Sequence, residues 1–402
     1  MTFETFGIKP ELLKSLKEMG IVEPTLIQKD AIPLIKEGRD VIGKSKTGSG
    51  KTAAFAIPIL EKIIPGKESQ ALILAPTREL AVQIAKEIEA IAKYTSISVV
   101  TVYGGVSYNP QINGLKKCEI IVATPGRMAD HIEKRHVDIS KLSFFVLDEA
   151  DKMSNMGFLE DISYILDHTP QSQQMLLFSA TISKDVNFLR DNYMTNSAEL
   201  EAEEFVEEDL LKQYYYNVSP HEKFSFLVHL LEKEETGQVL IFCSKRSTVE
   251  LVAKNLRTNG VKADCIHGKL SQHKRLQIIE NYNKGRQKVL VASAVAARGI
   301  HVDGVTHVFN YDLSQDPEEY IHRIGRTARA GDSGKAITLL SNNDHDIFSA
   351  IHHNYDVKIE LLPLDKFKRL NFDAGQRRNP TRGGPRGDSR GGSRGGGRYN
   401  RR

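Results

Sequence analysis

Short apolar runs alternate with helix-patterned segments along most of the chain. Ala71–Ala75 is apolar, and Leu80, Ile84, Ile88 and Ile91 then recur at spacings of four, four and three residues, which places them on one helix face. Because strands that alternate with helices pair in parallel, the pattern predicts an α/β fold in which helices cover both faces of each sheet. The other strand candidates are Ile97–Val102, Ile120–Ala123, Phe144–Leu147, Met175–Phe178, Val239–Phe242, Val289–Ala292, Val305–Phe309 and Ala336–Leu340.

Residues 199–209 interrupt this rhythm, because seven of these eleven residues are acidic. So dense a run of like charge rarely packs, and it predicts an exposed connection between two domains. A chain of 402 residues is also too long for one ordinary core. We therefore predict an N-terminal domain over residues 1–205, a second domain over residues 206–370 and a disordered tail over residues 371–402.

The C-terminal tail has an extreme composition. Residues 375–402 hold nine arginines, nine glycines and one aspartate, a local charge of +8, which leaves −4 for the rest of a chain whose net charge is +4. This segment cannot bury enough apolar surface to offset its chain entropy, which predicts disorder. Arg382-Gly383-Gly384, Arg390-Gly391-Gly392 and Arg394-Gly395-Gly396 resemble the RGG segments of RNA-binding proteins. We interpret the tail as a sequence-tolerant RNA tether, with a solubilising tail as the alternative.

Nothing in the sequence indicates a membrane or a secretory route. No apolar stretch approaches the roughly 20 residues of a membrane span, and the first residues lack the basic and apolar regions of a signal peptide. The three cysteines, Cys118, Cys243 and Cys265, are few and far apart. They imply neither a disulfide framework nor a zinc site, so we expect a cytoplasmic protein without a membrane partner.

A candidate phosphate site follows the apolar pair Val41 and Ile42. The stretch from Gly43 to Thr52 is rich in glycine and leads into a helix-compatible apolar segment. Glycines let backbone N–H groups curl around phosphate oxygens, and the next helix points its positive end at them. In such a loop Lys51 supplies charge at the β- and γ-phosphates and Thr52 offers a hydroxyl to Mg²⁺. The alternative is an ordinary glycine-rich turn.

A second candidate site lies at the end of the apolar run Phe144–Leu147, where Asp148, Glu149 and Asp151 follow directly. Acids at the start of a helix can also be plain N-terminal caps. Together with the phosphate loop they indicate a nucleoside triphosphatase. Asp148 is then the expected Mg²⁺ partner, partly through water, and Glu149 the residue that polarises the attacking water.

Ordered motifs extend this pattern over residues 3–365. They are Gly20 to Gln28, Pro76-Thr77-Arg78-Glu79-Leu80, Gly104-Gly105, Thr124-Pro125-Gly126-Arg127, Ser179-Ala180-Thr181, Leu240-Ile241-Phe242-Cys243, His267-Gly268 and His322 to Arg329. In this order they resemble the DEAD-box RNA helicases. The resemblance implies two tandem RecA-like domains, ATP and Mg²⁺ as cofactors, RNA as the partner, and local separation of short RNA duplexes driven by ATP hydrolysis.

The resemblance also assigns roles to individual residues. Nucleotide binding falls to Phe3, Thr25, Gln28, Ser45, Lys46, Thr47, Gly48, Ser49, Gly50, Lys51 and Thr52, with Phe3 stacking on adenine and Gln28 reading its edge. The catalytic set is Lys51, Asp148, Glu149 and the arginine fingers Arg326 and Arg329. RNA contacts fall to Pro76, Thr77, Arg78, Gly105, Thr124, Pro125, Arg127, Gly268, Gln272, Arg275 and Ser293. Coupling between ATP and RNA falls to Ser179, Ala180, Thr181, Ala294, His301 and His322.

The chain departs from the family pattern at several of these positions. Ala294 and His301 stand where the family has aspartates, and Ala328 replaces a glycine between the two fingers. The loss of two acids suggests weaker closure of the domains and modest unwinding. An ATP-gated RNA clamp is therefore a second hypothesis, and a DNA helicase, disfavoured by the motifs, a third. Ribosomal precursors and the RNA-decay machinery are candidate partners.

Overall fold

The computed structural model describes residues 2–45, 48–202, 210–293, 296, 302, 304–314, 316–328, 333–342, 344–355 and 357–374. These residues form two α/β units that follow one another along the chain, and each unit is built on one seven-stranded sheet. Every described strand pair is parallel. The prediction of two tandem α/β units with parallel sheets is confirmed.

The first sheet has the strand order β3-β4-β2-β5-β6-β1-β7. Its strands are β1 (Val41–Ser45), β2 (Ala71–Leu74), β3 (Val99–Val102), β4 (Ile120–Ala123), β5 (Phe144–Asp148), β6 (Gln174–Ser179) and β7 (Ala198–Ala202). Successive side chains of a strand point to opposite faces, so Val146 packs into one core while Phe145 and Leu147 pack into the other.

The helices of the first unit divide between these two cores. A 3₁₀ turn (Phe3–Phe6) precedes α1 (Pro10–Glu18), α2 (Leu26–Lys36), α3 (Lys51–Lys62), α4 (Arg78–Ile91), α5 (Tyr108–Leu115), α6 (Pro125–Glu133), α7 (Ala150–Asn155), α8 (Leu159–Leu166) and α9 (Lys184–Tyr193). Helices α1 to α4 cover one face and α5 to α9 the other. The predicted apolar face of α4 is buried as expected. Among the described residues no helix is long and apolar enough to cross a membrane.

The start of the acidic run was wrongly predicted as an exposed connection. Strand β7 pairs with β1 at the edge of the sheet, with Leu200 packed against the core. The two acids of β7 are exposed on its other face, where Glu199 pairs with Arg190 and Glu201 pairs with Lys44. An edge strand can carry such a charged face because one side meets solvent. The predicted domain boundary at residues 205 and 206 lies outside the described residues.

The second sheet has the strand order β10-β11-β9-β12-β13-β8-β14, which repeats the order of the first sheet strand by strand. Its strands are β8 (Leu211–Asn217), β9 (Gln238–Cys243), β10 (Ala263–Ile266), β11 (Val289–Ser293), β12 (Val305–Asn310), β13 (Gly334–Leu340) and β14 (Glu360–Leu361). Its helices are α10 (Lys223–Lys233), α11 (Arg246–Thr258), α12 (Gln272–Asn283), α13 (Pro317–Ile324) and α14 (His345–Asn354). The two units therefore share one topology.

The packed part of the second unit extends past the predicted end at Leu370. Phe372 packs against Phe224 with ring centroids 5.0 Å apart, and the backbone N–H of Asp373 donates to Asn255 at 2.8 Å. The aromatic residue reaches the core, so residues 371–374 belong to this unit and not to the tail. The predicted disordered segment over residues 375–402 lies outside the described residues.

Candidate active site

The predicted phosphate loop joins β1 to α3. Strand β1 ends at Ser45, and α3 begins at Lys51. Gly48 and Gly50 have φ angles of 93° and 87°, in the left-handed region where a side chain would be strained. The Nζ of Lys51 donates to the Ser45 carbonyl at 2.9 Å, and Lys51 is 6% exposed. A buried lysine beside a helix N-terminus can bind an anion. Lys46 and Thr47 lie outside the described residues.

Two residues predicted to bind adenine hold this loop in place. Thr25 Oγ1 donates to the Ser49 carbonyl at 2.8 Å, and Gln28 Nε2 donates to the Gly50 carbonyl at 2.9 Å. The Gln28 oxygen accepts from the backbone N–H of Thr25 at 3.0 Å. Phe3 is 3% exposed and packs into the core, which leaves little ring surface for stacking. Adenine recognition by Phe3 and Gln28 stays a prediction.

The acids at the end of β5 face the phosphate loop across a cavity of about 230 Å³. The Oδ1 atom of Asp148 is buried and has no hydrogen-bond partner within the described part of the chain. Burial raises the pKa of Asp148 to about 6, although the nearby Lys51 opposes this shift. An orphaned carboxylate oxygen in a buried cavity fits a site for a divalent cation. The cavity is lined by Gly48, Gly50, Lys51, Thr52, Leu80, Gln83, Ile84, Glu87, Asp148 and Glu149.

Glu149 interacts electrostatically with two cations that come from different units. Its φ of 58° places it in the left-handed region, a strained conformation that occurs at functional sites. Lys152 Nζ donates to Glu149 Oε1 at 2.5 Å. Arg326, from the second unit, is 6% exposed; burial lowers its pKa, and the Glu149 carboxylate opposes that shift. The structure therefore brings Arg326 to the acid end of β5, whereas Arg329 lies outside the described residues.

Sequence reasoning did not single out Lys152 and gave Asp151 no role of its own, although both lie in or beside the acidic cluster. The i,i+3 spacing of Glu149 and Lys152 was an available signal. The Oδ2 atom of Asp151 accepts from both the backbone N–H and the hydroxyl of Thr181 at 3.0 Å. Ser179 Oγ accepts from the Asp151 N–H at 3.1 Å. The predicted coupling segment is thus tied to the acidic turn, with Ala180 exposed beside it.

The other predicted coupling residues lie in the second unit. His322 is exposed on α13, while Ala294 and His301 lie outside the described residues. Ala328 has a φ of 54°. An alanine in this left-handed conformation is strained where a glycine would not be.

Three predicted RNA residues of the first unit meet at one surface. Gly105 lies against Arg78, since a Cβ atom on it would be 2.2 Å from Nη1 of Arg78, and its φ of 81° favours a glycine there. Arg127 Nη1 donates to the Val106 carbonyl at 3.2 Å, which ties it to the same loop. Pro76, Thr77, Thr124 and Pro125 lie at the N-terminal ends of α4 and α6. The structure therefore brings this predicted set together.

The two units contact each other through Glu79, a residue that the predicted site set omitted. Gln272 Nε2 donates to Glu79 Oε1 at 2.9 Å, and Arg275 Nε lies 2.8 Å from the same oxygen. Arg275 Nη2 also donates to the Ala296 carbonyl at 3.2 Å. Glu79 is 8% exposed, so it accepts a cation inside the contact between units. RNA binding by Gln272 and Arg275 stays a prediction.

Gly268 and Ser293 lie at the same edge of the second sheet. Ser293 ends β11, and Gly268 follows β10, whose Ile266 pairs with Ala292. The carboxyl ends of parallel strands meet at one edge, where ligands bind in open α/β sheets. Their predicted RNA contacts thus have a suitable position but stay predictions.

A lysine of the second unit occupies the position that corresponds to Lys51. Lys223 begins α10 after β8, just as Lys51 begins α3 after β1. Lys223 donates to the Tyr311 carbonyl and to Asp344, both at 3.1 Å. Burial raises the pKa of Asp312, and Lys223 opposes this shift. Because Lys223 already binds groups of its own unit, the phosphate site belongs to the first unit.

Comparisons with known proteins agree with this division of the chain. Residues 25–189 match the DEAD/DEAH box helicase family, and residues 222–331 match the helicase conserved C-terminal domain. The DEAD-box ATP-dependent RNA helicase CshA of Geobacillus kaustophilus is 43% identical over 92% of this chain and 78% of its own length. CshA of Bacillus subtilis is 41% identical over 90% of this chain and 74% of its own length.

Two solved structures resemble the whole described arrangement to different degrees. Dbp5 of S. cerevisiae bound to RNA and ADP BeF3 has a TM-score of 0.79 and 34% identity, covering 90% of this chain and 95% of that one. A DEAD box protein from Methanococcus jannaschii has a TM-score of 0.56 and 38% identity, covering 90% of this chain and 99% of that one. The more similar arrangement is that of a protein with RNA and a nucleotide bound.

Proposed function

This chain belongs to the DEAD-box family and is an ATP-dependent RNA helicase, and we propose that it hydrolyses ATP when RNA brings its two RecA-like units together. One observation carries the proposal: buried Arg326 of the second unit lies within electrostatic range of Glu149 of the first. Within this site Lys51 holds phosphate charge, Glu149 orients and polarises the attacking water, and Arg326 stabilises charge that develops on the transferred phosphoryl group. RNA bound across both units favours this arrangement by its differential affinity for it.

Mg²⁺ is part of the proposed ATP site. Thr52 and Asp148 would hold it, because both line the cavity beside the phosphate loop and Asp148 has the buried oxygen without a described partner. When bound, Mg²⁺ neutralises phosphate charge. Asp148 must then be ionised, and Lys51 favours that charged form.

The RNA surface that we propose spans both units. Arg78, Gly105 and Arg127 form its first part, and Gly268 and Ser293 lie at the sheet edge that forms its second part. Contacts by such residues to phosphates and 2′-hydroxyls carry little sequence information. The natural RNA would then be chosen by the tail or by partners, for which ribosomal precursors and the RNA-decay machinery are our candidates.

We also propose the division into domains over residues 1–205 and 206–370, with the second domain extended to residue 374 by the packing of Phe372. A cytoplasmic location is supported by the cysteines, since Cys118, Cys243 and Cys265 are all free thiols.

An ATP-gated RNA clamp is a second candidate function. Ala294 and His301 replace two acids of the family pattern, and Arg275, which contacts Glu79 of the other unit, also bonds to Ala296 between them. A weaker closed state there would allow RNA-stimulated hydrolysis with little strand separation.

One experiment tests the proposed function and separates the candidates. ATP turnover is measured without nucleic acid, with RNA and with DNA of the same sequence, beside displacement of a strand from a short RNA duplex. We expect stimulation by RNA and not by DNA, together with displacement. RNA-stimulated turnover without displacement would favour the clamp. Turnover that RNA does not change would contradict both the helicase and the clamp.

Because Glu79 contacts the second unit, we predict that replacing Glu79 weakens RNA-dependent closure. Glu79→Gln removes the charge facing Arg275 but retains an acceptor for Gln272. We expect the RNA concentration for half-maximal stimulation of ATP turnover to rise about tenfold or more, because an unpaired buried cation costs roughly 2–5 kcal/mol. Glu89→Gln, on the exposed side of the same helix, is the matched control. Equal RNA requirements in the two variants would show that this contact does not support closure.

The arginine-rich tail predicts a salt-dependent part of RNA binding. Deleting residues 375–402 removes nine arginines. We expect lower RNA affinity and a shallower slope of log affinity against log salt, because each phosphate contact contributes about 0.7 to that slope for single strands. RNA titrations at several salt concentrations measure it. A slope that is unchanged by the deletion would favour the solubilising role.

A further inference from the structure

A buried glutamine spans the loop that carries Gly105. Gln111, on α5, is 5% exposed, and its Nε2 donates to the carbonyls of Tyr103 at 3.0 Å and Ser107 at 3.4 Å. These carbonyls flank Gly104 and Gly105. Because both partners are acceptors, the amide nitrogen must face the loop and the amide oxygen must face the interior.

The glutamine oxygen fixes the tautomers of two histidines. His131 Nε2 lies 3.2 Å from Gln111 Oε1, so Nε2 must carry a hydrogen. Burial lowers the pKa of His131 to about 4, so the ring is neutral and its Nδ1 is an acceptor. His136 Nδ1, 3.2 Å from that atom, must then donate. A directed chain of hydrogen bonds runs from His136 through His131 and Gln111 to the loop.

The same chain of hydrogen-bonded residues also packs, through Tyr108, against Arg127. The ring of Tyr108 packs against His131 with centroids 5.3 Å apart, and the Arg127 guanidinium lies 4.2 Å from the centre of the Tyr108 ring. Lys134 lies 4.5 Å from that centre, and the Tyr108 hydroxyl donates to Asp130. The Gly104–Gly105 loop and Arg127 therefore rest on one cluster of side chains.

We propose that Gln111 and His131 are positioning residues for RNA binding. They hold the Gly104–Gly105 loop in the position from which Arg78 and Arg127 can contact RNA. This inference rests on the proposed RNA surface. Neither residue is proposed to touch the RNA itself. Gly105 lies against the Arg78 guanidinium, and its φ of 81° is one that few residues other than glycine adopt, so the conformation of the loop sets how closely the two approach.

Loss of His131 acts on this loop through Gln111. Without the ring, the oxygen of Gln111 is buried without a donor, and the amide can regain one only by turning away from Tyr103 and Ser107. The loop then loses the group that joins its two ends. The consequence falls on RNA affinity, whereas the phosphate loop and the acids of β5 are unaffected, because they lie on other elements.

Two substitutions at His131 in the full-length protein test this chain. His131→Leu removes both ring hydrogen bonds, whereas His131→Gln keeps a side-chain N–H that can reach Gln111. For His131→Leu we expect about a tenfold higher RNA concentration for half-maximal stimulation, the effect of one unsatisfied buried polar group. Turnover at saturating RNA should stay within about twofold of the parent, which separates RNA affinity from the chemical step. His131→Gln should recover most of the RNA affinity.

Two controls separate this inference from its premise. His168→Leu removes an exposed histidine that follows α8 and takes no part in this chain of hydrogen bonds, and it should behave as the parent. Arg127→Ala tests the RNA surface directly. Weaker RNA binding by Arg127→Ala with unchanged binding by His131→Leu would overturn the positioning role alone. Unchanged binding by Arg127→Ala would contradict the proposed RNA surface. Equal losses in both His131 variants, with lower melting temperatures, would assign His131 a merely structural role.

Discussion

Replacing Glu149 by glutamine is expected to abolish RNA-stimulated ATP hydrolysis while ATP still binds. A glutamine keeps the shape and a hydrogen-bonding group, but it is uncharged and can neither accept a proton nor polarise water as a carboxylate does. Loss of one general base typically lowers turnover by about 10²–10⁴. The pairing of Glu149 with Lys152 and the nearness of Arg326 indicate that the carboxylate is held for one orientation. Steady-state turnover with saturating RNA and a separate nucleotide-binding titration measure the two effects.

The control for this substitution is Glu160→Gln, which changes an exposed glutamate on α8 of the same unit. It should leave both turnover and nucleotide binding as they were. Glu149→Gln also removes the partner of Lys152, so the melting temperature must be recorded. If turnover of Glu149→Gln stayed within about threefold of the parent, Glu149 would not be the base, since a general base contributes far more.

Replacing Arg326 by alanine should lower RNA-stimulated turnover about as strongly. An arginine that stabilises phosphoryl transfer is worth roughly 10³–10⁵ in rate. Arg326 belongs to the second unit and faces the acid of the first only while the units are in contact. The variant should therefore lose the stimulated rate and keep ATP affinity, which the first unit provides.

Two further substitutions define what Arg326 does. Arg326→Lys retains the charge but loses the planar fork of donors, so an intermediate rate is expected. Arg286→Ala changes an exposed arginine of the same unit and should have no effect. Full stimulated turnover in Arg326→Ala would contradict the finger role and leave Arg329, outside the described residues, as the remaining candidate.

Local sequence was sufficient to predict most strands of the two sheets and to single out the two segments of the candidate ATP site. Strand β5 is a continuous apolar run that ends in acids, and the glycines before Lys51 mark a turn into a helix. Both signals depend on a few consecutive residues, so they can be interpreted without the fold. The acidic strand β7 escaped prediction because its backbone pairs with β1, which lies far away in the chain.

Long-range contacts also gave single residues partners that the sequence did not predict. Gln28, predicted to read adenine, has its amide bonded to the phosphate loop. Gln272 and Arg275, predicted to contact RNA, both contact Glu79 of the other unit. Sequence gives a side chain's donors and acceptors, whereas its partners depend on which distant segments fold against it.

The sequence by itself determined the class of the fold, the family, and the residue types that ATP hydrolysis requires, because these follow from periodicity and short motifs. Tertiary structure alone decided that Arg326 comes within electrostatic range of Glu149 and that Glu79 joins the units. It also decided that Gln111 and His131 lie beneath the Gly104–Gly105 loop. The reason is physical: hydrogen bonds and ion pairs act over a few ångströms, and only the packing of distant segments brings these groups within that range.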